Sequence, residues 1–460
     1  LGLEWRKDEI DSIPNQVAAE GLFFAFSADQ GAIGEKTTEE FFAEMELPIF
    51  AGNPGMEELT LNVSTRYTKD EFYDAAWTYS AKLAYRPVDS LLLRATTGTS
   101  FRAPNLRENF LAFQTGFNNV TDPCVVPDDA VDFDGNYIPE NDNRSAVVIQ
   151  NCVLDSGVDP FSFTNNGLQT YNTEISAGGS LELAPETSES FSAGLVWDQP
   201  FFQSFDLTFG ATYYDIKIRD EIIEPSFAFI VSDCYNDPEF DSAFCSRIDR
   251  TRDAGDGIDI IDEGFINRDI LRARGVDLNM QINIPTQMFG RAVDFGADFA
   301  FNRALELSSK VLDGSGDAPD ELTGEFGYPE WQGRSTLRAD VGNWRYTWSM
   351  RYVSSVEIDP DFQDDFDNIL TGFADTCLGP ENGDVNCRDV GFADNYFTHD
   401  ASVFYFGDTW TVGVGVRNLT DQAPPRVDGF KVGSTNNAPR GRGYDIWGRT
   451  AFVNIVYNWQ

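Results

Sequence analysis

A single histidine and a large excess of carboxylates are the features of this sequence that bear most directly on catalysis. The chain has 75 Asp and Glu residues but one His, at position 399. Hydrolytic dyads and triads normally place a histidine within hydrogen-bond reach of a nucleophile or an activated water. His399 alternates with an apolar row of Phe397, Ala401, Val403 and Tyr405, so we expect it on the outward face of a strand, near an aromatic belt. We therefore predict no catalytic residue, and we predict that the protein is not an enzyme.

The six cysteines fall into three pairs that are close in sequence. The pairs are Cys124 with Cys152, Cys234 with Cys245, and Cys377 with Cys387. An even number of cysteines in neighbouring pairs is typical of disulfides in an oxidising compartment. Zinc is the alternative, but the sequence has no CxxC motif and only the one histidine. The spacing favours three loop disulfides.

Two acidic segments approach the pattern of a calcium-binding loop. In DDAVDFDGNY (128–137), Asp132, Asp134 and Gly135 match the middle of that pattern. The pattern also needs an acidic first position and a Glu at the twelfth, and neither is present here. RDAGDGIDIIDEG (252–264) fails the same template. We predict acidic turns, no metal ligand and no required cofactor, with structural calcium in the acidic loops as the alternative.

Aromatic residues are spaced among Asn and Asp along the longest predicted loop, residues 103–187. Aromatic faces beside polar groups suit a sugar ring and an aromatic siderophore equally well. Six of these residues are candidate ligand contacts: Phe113, Phe117, Tyr137, Phe161, Phe163 and Tyr171. The alternative is that these rings pack the loop against its neighbours and over the Cys124–Cys152 pair.

The overall charge restricts the partners of the chain. With 33 Lys and Arg against 75 Asp and Glu, the formal net charge is -42. Nucleic acid and anionic lipid headgroups would both be repelled, so we predict that nucleic acid is not a partner and that anionic headgroups are not the main one. The sequence has no apolar run of the roughly 18 residues that a spanning helix needs. Transmembrane β-strands are compatible with that absence because they hide their apolar face in alternation.

The dominant sequence pattern has a period of two. VDLNMQINI (276–284) places its apolar residues on one face and Asp, Asn and Gln on the other, which predicts a β-strand between an apolar and a wet environment. We count about 14 such strands, many of them longer than the roughly five or six residues of an ordinary strand. Aromatic residues such as Trp77, Tyr85 and Trp197 lie near strand ends, as in the girdles of membrane barrels. The sequence therefore predicts an all-β fold, a transmembrane antiparallel β-barrel.

Short and long connections alternate along the chain. Short connections are predicted near 51–55, 86–90, 199–204, 285–290, 341–343 and 407–408. Long connections are predicted at 11–38, 68–76, 103–187, 223–266, 308–329, 359–394 and 420–447. Bacterial barrels have short periplasmic turns and long extracellular loops. All the long connections, and all six cysteines with them, are therefore expected on the extracellular side.

Four motifs carry a resemblance to a known family. SFRAPNLRENF (100–110) resembles the strand-end motif of TonB-dependent outer-membrane receptors, with Phe101, Arg102, Ala103 and Pro104 as its matching residues. GGSLELAPETSESFSAGL (178–195) and RARGVDLNMQ (272–281) resemble two further motifs of that family, in the same order. VRNLTDQAPP (416–425) resembles a fourth, with Asn418, Leu419 and Asp421 as its matching residues.

The resemblance covers nearly the whole chain and implies the C-terminal part of a barrel of about 22 strands. Residues 1–460 are then expected to form one partial barrel domain. The resemblance also implies a place in the outer membrane of a Gram-negative bacterium, in contact with its lipid. Members of the family take up scarce solutes such as siderophores and oligosaccharides with force from TonB, which acts through an N-terminal plug and a TonB box. Neither of these two parts is recognisable here.

Two residues depart from the family pattern. Asp277 stands where the family has Glu, and Gln460 stands where it commonly ends on Phe or Trp. The first change is mild, since it keeps the carboxylate. The second leads us to expect that the natural protein extends beyond both ends of this sequence.

Two other functions stay open from the sequence. About 14 strands could close around an open channel and form a passive porin. A secreted all-β binding protein or hydrolase would need the apolar rows packed sheet on sheet. The motif series favours active uptake of a small-molecule or oligosaccharide ligand.

Overall fold

Antiparallel β-structure dominates the computed structural model of the chain. It describes residues 1–23, 28–132, 136–156, 160–161, 169–250, 257–310, 320–358, 392–427, 434–435, 438–439 and 443–459. The strands up to the middle of the chain are β1 (Gly2–Ser12), β2 (Ala32–Asn53), β3 (Met56–Asp70), β4 (Ala76–Val88), β5 (Leu91–Arg102), β6 (Gln114–Thr121), β7 (Thr170–Ala177), β8 (Glu186–Asp198), β9 (Asp206–Ile223), β10 (Ile248–Arg250) and β11 (Ile258–Asp262).

The remaining strands are β12 (Ile266–Met288), β13 (Arg291–Lys310), β14 (Asp320–Glu321), β15 (Trp331–Val341), β16 (Trp344–Val353), β17 (Val356–Glu357), β18 (Phe392–Ala393), β19 (Tyr396–Phe406), β20 (Trp410–Arg417), β21 (Ser434–Thr435), β22 (Ala438–Pro439) and β23 (Thr450–Tyr457). The helices are α1 (Gln16–Ala19), α2 (Leu106–Phe110), α3 (Ala146–Ser156) and α4 (Phe227–Asn236). Short 3₁₀ turns span Asp128–Ala130, Pro139–Asn141 and Ala243–Arg247. Among the described residues, none of the helices combines the length and apolar character needed to cross a membrane.

One antiparallel sheet forms the wall of the molecule. Its order is β1-β2-β3-β4-β5-β8-β9-β12-β13-β15-β16-β19-β20-β23, and the short β14 pairs with β13. Each strand of the wall pairs with the next long strand of the sequence, which is the meander of an up-and-down barrel. The predicted number of strands is therefore confirmed.

The two faces of the wall differ as the period of two predicts. On the outer face, Leu278 of β12 lies opposite Phe301 of β13. On the inner face, Asn302 donates a hydrogen bond to Asp277 at 2.9 Å. Apolar residues of the outer row, among them Leu337 and Val414, are exposed instead of packed under a second layer. This exposure suits contact with lipid and contradicts a soluble sandwich.

The two rims also differ as predicted. Residues 54–55, 89–90, 289–290 and 342–343 join neighbouring wall strands by tight turns at one rim. The long connections leave from the other rim. Two connections are shorter than expected, because the pairing of their strands continues further: β1 pairs with β2 as far as Ser12 opposite Ala32, and β3 pairs with β4 as far as Thr68 opposite Ala76. Residues 13–31 and 71–75 alone remain as connections. Residues 68–70 and 76 of the predicted loop at 68–76, and residues 11–12 and 32–38 of the predicted loop at 11–38, therefore belong to strands.

Two long connections fold together above the wall. Residues 103–185 and 224–265, which we name the cap, contribute β6, β7, β10 and β11 to a second sheet of order β10-β11-β7-β6. β11 pairs with β7 in parallel, so the sheet joins the two connections to each other. The helices α3 and α4 belong to the same unit. The cap is thus a structured unit built from two loops that are distant in sequence.

Candidate functional site

The cap has an apolar core of its own. Fully or nearly buried residues from both connections form it: Val120, Cys124, Val148, Cys152, Ile175, Ile230, Val231, Cys234, Tyr235, Phe244, Ile258 and Ile261. Disulfides join Cys124 to Cys152 and Cys234 to Cys245 inside this core. Two of the three predicted disulfides are therefore confirmed, and Cys377 and Cys387 lie outside the described residues. Cross-links of this kind restrict the unfolded chain and so stabilise the cap.

A buried ion pair ties the two halves of the cap together. Both terminal nitrogens of Arg250 donate to the carboxylate of Asp122, each at 2.7 Å. Tyr171 and the backbone N–H of Cys124 also donate to Asp122, at 2.7 and 2.9 Å. Asp122 is fully buried. The carboxylate is therefore saturated with donors, as a buried charge must be.

The electrostatics of this pair favour the charged state. Burial alone would raise the pKa of Asp122, but the hydrogen bonds and the charge of Arg250 outweigh it and hold that pKa below its ordinary value. Burial raises the pKa of Tyr171, and the neighbouring Asp122 raises it further. Tyr235 donates to Asp155 at 2.5 Å and accepts from Arg250 Nε at 3.0 Å, which extends the network to α3.

A pocket of about 770 Å³ opens beside the edge of the cap sheet. Its lining comes from the connection before β2, from β6 and β7, and from the segment after β11: Ala18, Phe23, Ala28, Asp29, Gln114, Thr115, Gly116, Asn118, Ile175, Ser176, Ala177 and Glu263. A volume of this size holds an ordinary small-molecule ligand. The combination of an aromatic ring, amides, hydroxyls and two carboxylates gives both apolar contact and directional hydrogen bonds.

The two carboxylates of the pocket differ in their electrostatics. Hydrogen bonds from Gln114 and from the backbone N–H of Gly31 hold the pKa of Asp29 below its ordinary value. Burial raises the pKa of Glu263, although this residue also accepts a hydrogen bond from Phe227 N at the start of α4. The pocket therefore has one firmly ionised acid and one that is partly desolvated.

The predicted aromatic contacts divide into two groups. Phe113 and Phe117 are exposed, and they flank the strand residues that line the pocket. Tyr137 lies against Phe161 with ring centroids 5.4 Å apart and donates to Asp142 at 2.8 Å. Tyr171 belongs to the buried ion-pair network. The structure thus places Phe113 and Phe117 beside the pocket, gives the others packing roles, and leaves Phe163 outside the described residues.

The FRAP motif anchors the end of β5. Arg102 donates to Glu186 of β8 at 2.6 and 2.5 Å and to both oxygens of Glu108 in α2, at 3.1 and 3.0 Å. Glu108 in turn caps α2 by accepting from Asn105 N at 2.7 Å. Buried Lys36 donates to the carbonyl oxygen of Pro104 at 2.6 Å. The motif therefore fixes the direction in which the chain leaves the wall toward the cap, and Ala103 lies within this turn.

The NLxD motif likewise fixes the direction of the chain where it leaves the wall after β20. Asn418 is 1 % exposed and has a φ of +48°, a conformation that Asn tolerates better than most residues. Its side chain donates to Gln422 O and to Asp445, each at 2.9 Å. Leu419 N donates to the carbonyl oxygen of His399, and Asp421 accepts from Arg449 N at 2.8 Å. These hydrogen bonds hold the turn that follows β20.

Small residues on the inner face are covered by aromatic rings. A Cβ on Gly275 would lie 2.3 Å from the hydroxyl oxygen of Tyr214, and a Cβ on Gly413 would lie 2.1 Å from the ring of Phe404. Phe404 and Phe452 occupy the space beside Gly413 and Gly415. Such pairs of ring and glycine stabilise strongly curved sheets.

A second cavity, of about 400 Å³, lies along the inner wall below the cap. Arg94, Asn279, Gln281, Asp298 and Arg334 are among its lining residues. Arg94 donates to Thr212 at 2.8 Å, which holds its guanidinium against the wall. The inner face is therefore polar and hydrogen-bonding, as a wet lumen requires.

Among the residues considered for catalysis and metal binding, those that the structure describes do not converge on a site. His399 stacks on Trp348 of the outer row, with ring centroids 5.5 Å apart, as its alternation with apolar residues predicted. Asp132 accepts from the backbone and side chain of Asn136, while Asp134 and Gly135 lie outside the described residues. Within the described part of the chain, no three His, Cys, Asp or Glu residues are arranged to hold a metal ion.

Sequence reasoning missed Phe23, Asp29 and Glu263 of the pocket. Asp29 and Glu263 are 234 positions apart and lie in segments without periodicity. The one available signal was their place at the ends of long connections that leave the same rim.

Comparison with known proteins agrees with this geometry. A model of the family described as TonB dependent receptor-like, beta-barrel matches residues 1–419. No curated protein matches the sequence. Among solved structures, a mutant of the ferric enterobactin receptor PfeA from Pseudomonas aeruginosa aligns with a TM-score of 0.56 at 12% identity, over 99% of this chain and 50% of that one.

Two further structures show the same fold. The siderophore receptor PirA from Acinetobacter baumannii aligns with a TM-score of 0.51 at 13% identity, over 99% of this chain and 51% of that chain. The hemophore receptor HasR from Serratia marcescens, solved with its hemophore and heme, aligns with a TM-score of 0.50 at 15% identity, over 99% of this chain and 55% of that chain. This sequence thus spans about half the length of the proteins it resembles. Its strand meander, its motifs and the family match across residues 1–419 show that the chain belongs to the TonB-dependent receptor family and forms part of an outer-membrane β-barrel.

Proposed function

We propose that the protein captures a scarce small solute, such as a siderophore or an oligosaccharide, at the surface of a Gram-negative bacterium and imports it with energy from TonB. The observation that carries this proposal is the family match over residues 1–419. The wall of 14 antiparallel strands agrees with it. The plug and the TonB box would belong to parts of the natural protein outside this sequence. Residues 1–460 act as one barrel domain in this proposal.

The cap pocket supports a capture step. Its volume of about 770 Å³ and its mixed lining suit a ligand that has both rings and polar groups. The sheet strands of the pocket belong to the disulfide-bonded cap, so little conformational freedom is lost when a ligand binds. In this proposal, the inner-wall cavity with Arg94 and Arg334 is the next polar surface that the solute meets in the lumen.

A whole-cell uptake assay tests the proposal. The full-length protein is expressed in a strain without other receptors, with and without TonB, and is offered radiolabelled ferric siderophores and oligosaccharides in turn. We expect saturable accumulation of one ligand that stops when TonB is absent or a protonophore is added. Accumulation that is linear in concentration and unaffected by either treatment would identify a passive porin.

The place of capture is tested separately by binding. The double variant Phe113→Ala/Phe117→Ala removes two exposed rings beside the pocket. Ring contacts contribute about 1 kcal/mol each, so the Kd of the imported ligand is expected to rise by roughly 30-fold. Leu154→Ala is the matched control, since Leu154 is also an exposed apolar residue of the cap but lies on α3. Equal affinities of the double variant and the control would exclude this pocket.

A further inference from the structure

One cross-strand row of the cap sheet crosses the pocket. Asp29 lies opposite Gln114 at the start of β6, and Gln114 lies opposite Ala177 of β7. Residues that lie directly opposite each other in neighbouring strands point to the same face of a sheet. The side chains of Asp29, Gln114 and Ala177 therefore share one face, and all three line the cavity of about 770 Å³.

Glu263 closes this row at its other end. The parallel pairing of β11 with β7 places Asp262 opposite Ser176. The next backbone N–H, that of Glu263, donates to the carbonyl oxygen of Ser176 at 2.7 Å, so the pairing continues beyond β11. Glu263 is therefore level with Ala177, and it lines the same cavity. We name Asp29, Gln114, Ala177 and Glu263 the pocket row.

The two acids of the pocket row are far apart. Four extended segments lie side by side along it: residues 28–30, β6, β7 and the continuation of β11. Neighbouring strands are about 4.8 Å apart, so three spacings separate the backbones of Asp29 and Glu263 by about 14 Å. A single ammonium group or metal ion cannot contact both carboxylates at once, whereas an elongated ligand can.

Both carboxylates keep acceptor positions for a ligand. Asp29 accepts from the backbone N–H of Gly31 at 2.7 Å and from Gln114. Glu263 accepts from the backbone N–H of Phe227. An ionised carboxylate has two oxygens with about four acceptor positions in total. Both acids are also half-buried, so a hydrogen bond from a charged donor is stronger here than in open water.

The surroundings of the pocket row favour a cation. Among the lining residues that the structure describes, none is Lys, Arg or His. Two arginines come close but have other partners: Arg107 donates to Gln114 Oε1 at 3.1 Å, and Arg247 donates to the carbonyl oxygens on either side of Glu263 at 3.0 and 2.9 Å. Glu224 adds a further negative charge near Glu263. A carboxylate-lined cleft concentrates cations from solution.

We propose that the pocket row binds an elongated organic cation with amino groups along its length, one ammonium against Asp29 and another against Glu263. The Phe23 ring lines the same cavity and suits the part of the ligand between these groups. The inference deepens the proposed function, on which it rests, because it restricts the captured solute to one class of charge. Aliphatic polyamines and amino-sugar oligomers both have this chemistry.

Isothermal titration calorimetry of the full-length protein in a neutral detergent tests the proposal. The probes are spermidine and a glucosamine trimer, at a pH at which their amines are protonated, and the tighter of the two identifies the source. A charge-assisted hydrogen bond strengthens binding by roughly tenfold or more. Asp29→Asn and Glu263→Gln are each expected to weaken the tighter probe roughly tenfold, and the double variant roughly 100-fold, since distant sites add.

Two controls accompany these variants. Asp129→Asn/Glu140→Gln removes the same charge from two exposed acids of the cap outside the pocket and is expected to bind as the unmodified protein does. Asn and Gln keep an oxygen that accepts from Gly31 and Phe227, so the cap of the test variants should be at least as resistant to proteolysis as that of the unmodified protein.

Four outcomes would overturn the proposal. The first is that neither probe binds. The second is an equal loss in the test and control variants, which would show a dependence on total charge alone. The third is equal binding of the N-acetylated form of the probe, since its amines carry no charge. The fourth is equal binding of putrescine, a shorter diamine, which would show that one acid is sufficient.

Uptake separates this inference from the proposed function. TonB-dependent accumulation of another solute, unaffected by the double variant, would refute the role of the pocket row and leave active import in place. Binding that depends on the pocket row, without TonB-dependent accumulation of any solute, would refute active import and leave the ligand class in place.

Discussion

Removal of the charge of Asp122 tests whether one buried ion pair holds the cap together. The Asp122→Asn variant keeps the shape of the side chain but places an amide against the guanidinium of Arg250. The side chain of Arg250 is 6% exposed and donates to both Asp122 oxygens at 2.7 Å. After the substitution, a buried cation faces a neutral group that includes a donor.

The expected cost follows from this burial. Breaking a buried ion pair by removing one partner destabilises a protein by about 3 to 5 kcal/mol, because the other charge stays uncompensated. Since 1.4 kcal/mol is tenfold in an equilibrium constant, the open state of the cap should become roughly 10² to 4 × 10³ times more populated. The hydrogen-bond partners that the structure describes for this pair all lie in the cap, so the wall strands provide an internal reference.

Hydrogen exchange measured by mass spectrometry reads this effect separately in the cap and in the wall. Amides of α3, α4 and β7 should exchange roughly 10² to 4 × 10³ times faster in the variant, whereas those of β12 and β13 should keep their rates. Asp129→Asn is the matched control, since Asp129 lies in the same connection but is exposed. If cap protection in the Asp122 variant equals that of the control, the reasoning is refuted.

The same pair predicts how the cap responds to acid. The pKa of Asp122 is below its ordinary value in the folded state. Its contribution is therefore complete above the pKa of an unfolded Asp and is lost as the pH falls toward the folded pKa. Cap protection should decrease on acidification in the unmodified protein, and this dependence should be weaker in Asp122→Asn. An unchanged acid response in the variant would show that other carboxylates control it.

Three more predictions concern the cap and the wall. Burial raises the pKa of Glu263, so the stability that this group contributes is present at low pH and is lost as the pH rises through that pKa. The Glu263→Gln variant should therefore resist proteolysis better than the unmodified protein at pH 8 but not at pH 4. Replacing Cys124 and Cys152 by Ser opens a loop with a sequence separation of 28 and should lower cap stability by about 3.6 kcal/mol in urea titrations. Gly413→Ala should clash with Phe404 and lower the temperature of the heat-modifiable gel shift, at a cost of about 1–3 kcal/mol, and adding Phe404→Ala should restore much of it.

The wall was predictable because its pattern is local. A membrane strand must alternate lipid-facing and lumen-facing residues, so nine residues such as 276–284 identify it without knowledge of its neighbours. Tight turns then fix the order of pairing. The errors in the connections, at 11–38 and 68–76, arose because polar residues continue the strands above the lipid, where alternation of apolar residues no longer marks them.

The cap was predictable only in its cross-links. Cysteine spacing indicated the Cys124–Cys152 and Cys234–Cys245 disulfides, since short loops close most readily. The role of Tyr171 was not predictable, because its partner Asp122 is shared with Arg250, which is 128 residues away from Asp122. A lone tyrosine among polar residues has the same local sequence whether it binds a ligand or supports a buried charge. The pocket was missed for the same reason.

The separation of Asp122 from Arg250 sets an order for biogenesis. The cap core needs residues from both connections, and β8 and β9 lie between them in the chain. The first connection alone cannot complete the parallel pairing of β7 with β11 or neutralise Asp122. The cap should therefore be the last part to become protease-resistant, after its two stems have been threaded into the wall. Until then, the extracellular end of the barrel is not covered by a folded cap, and the carboxylate of Asp122 is exposed to water.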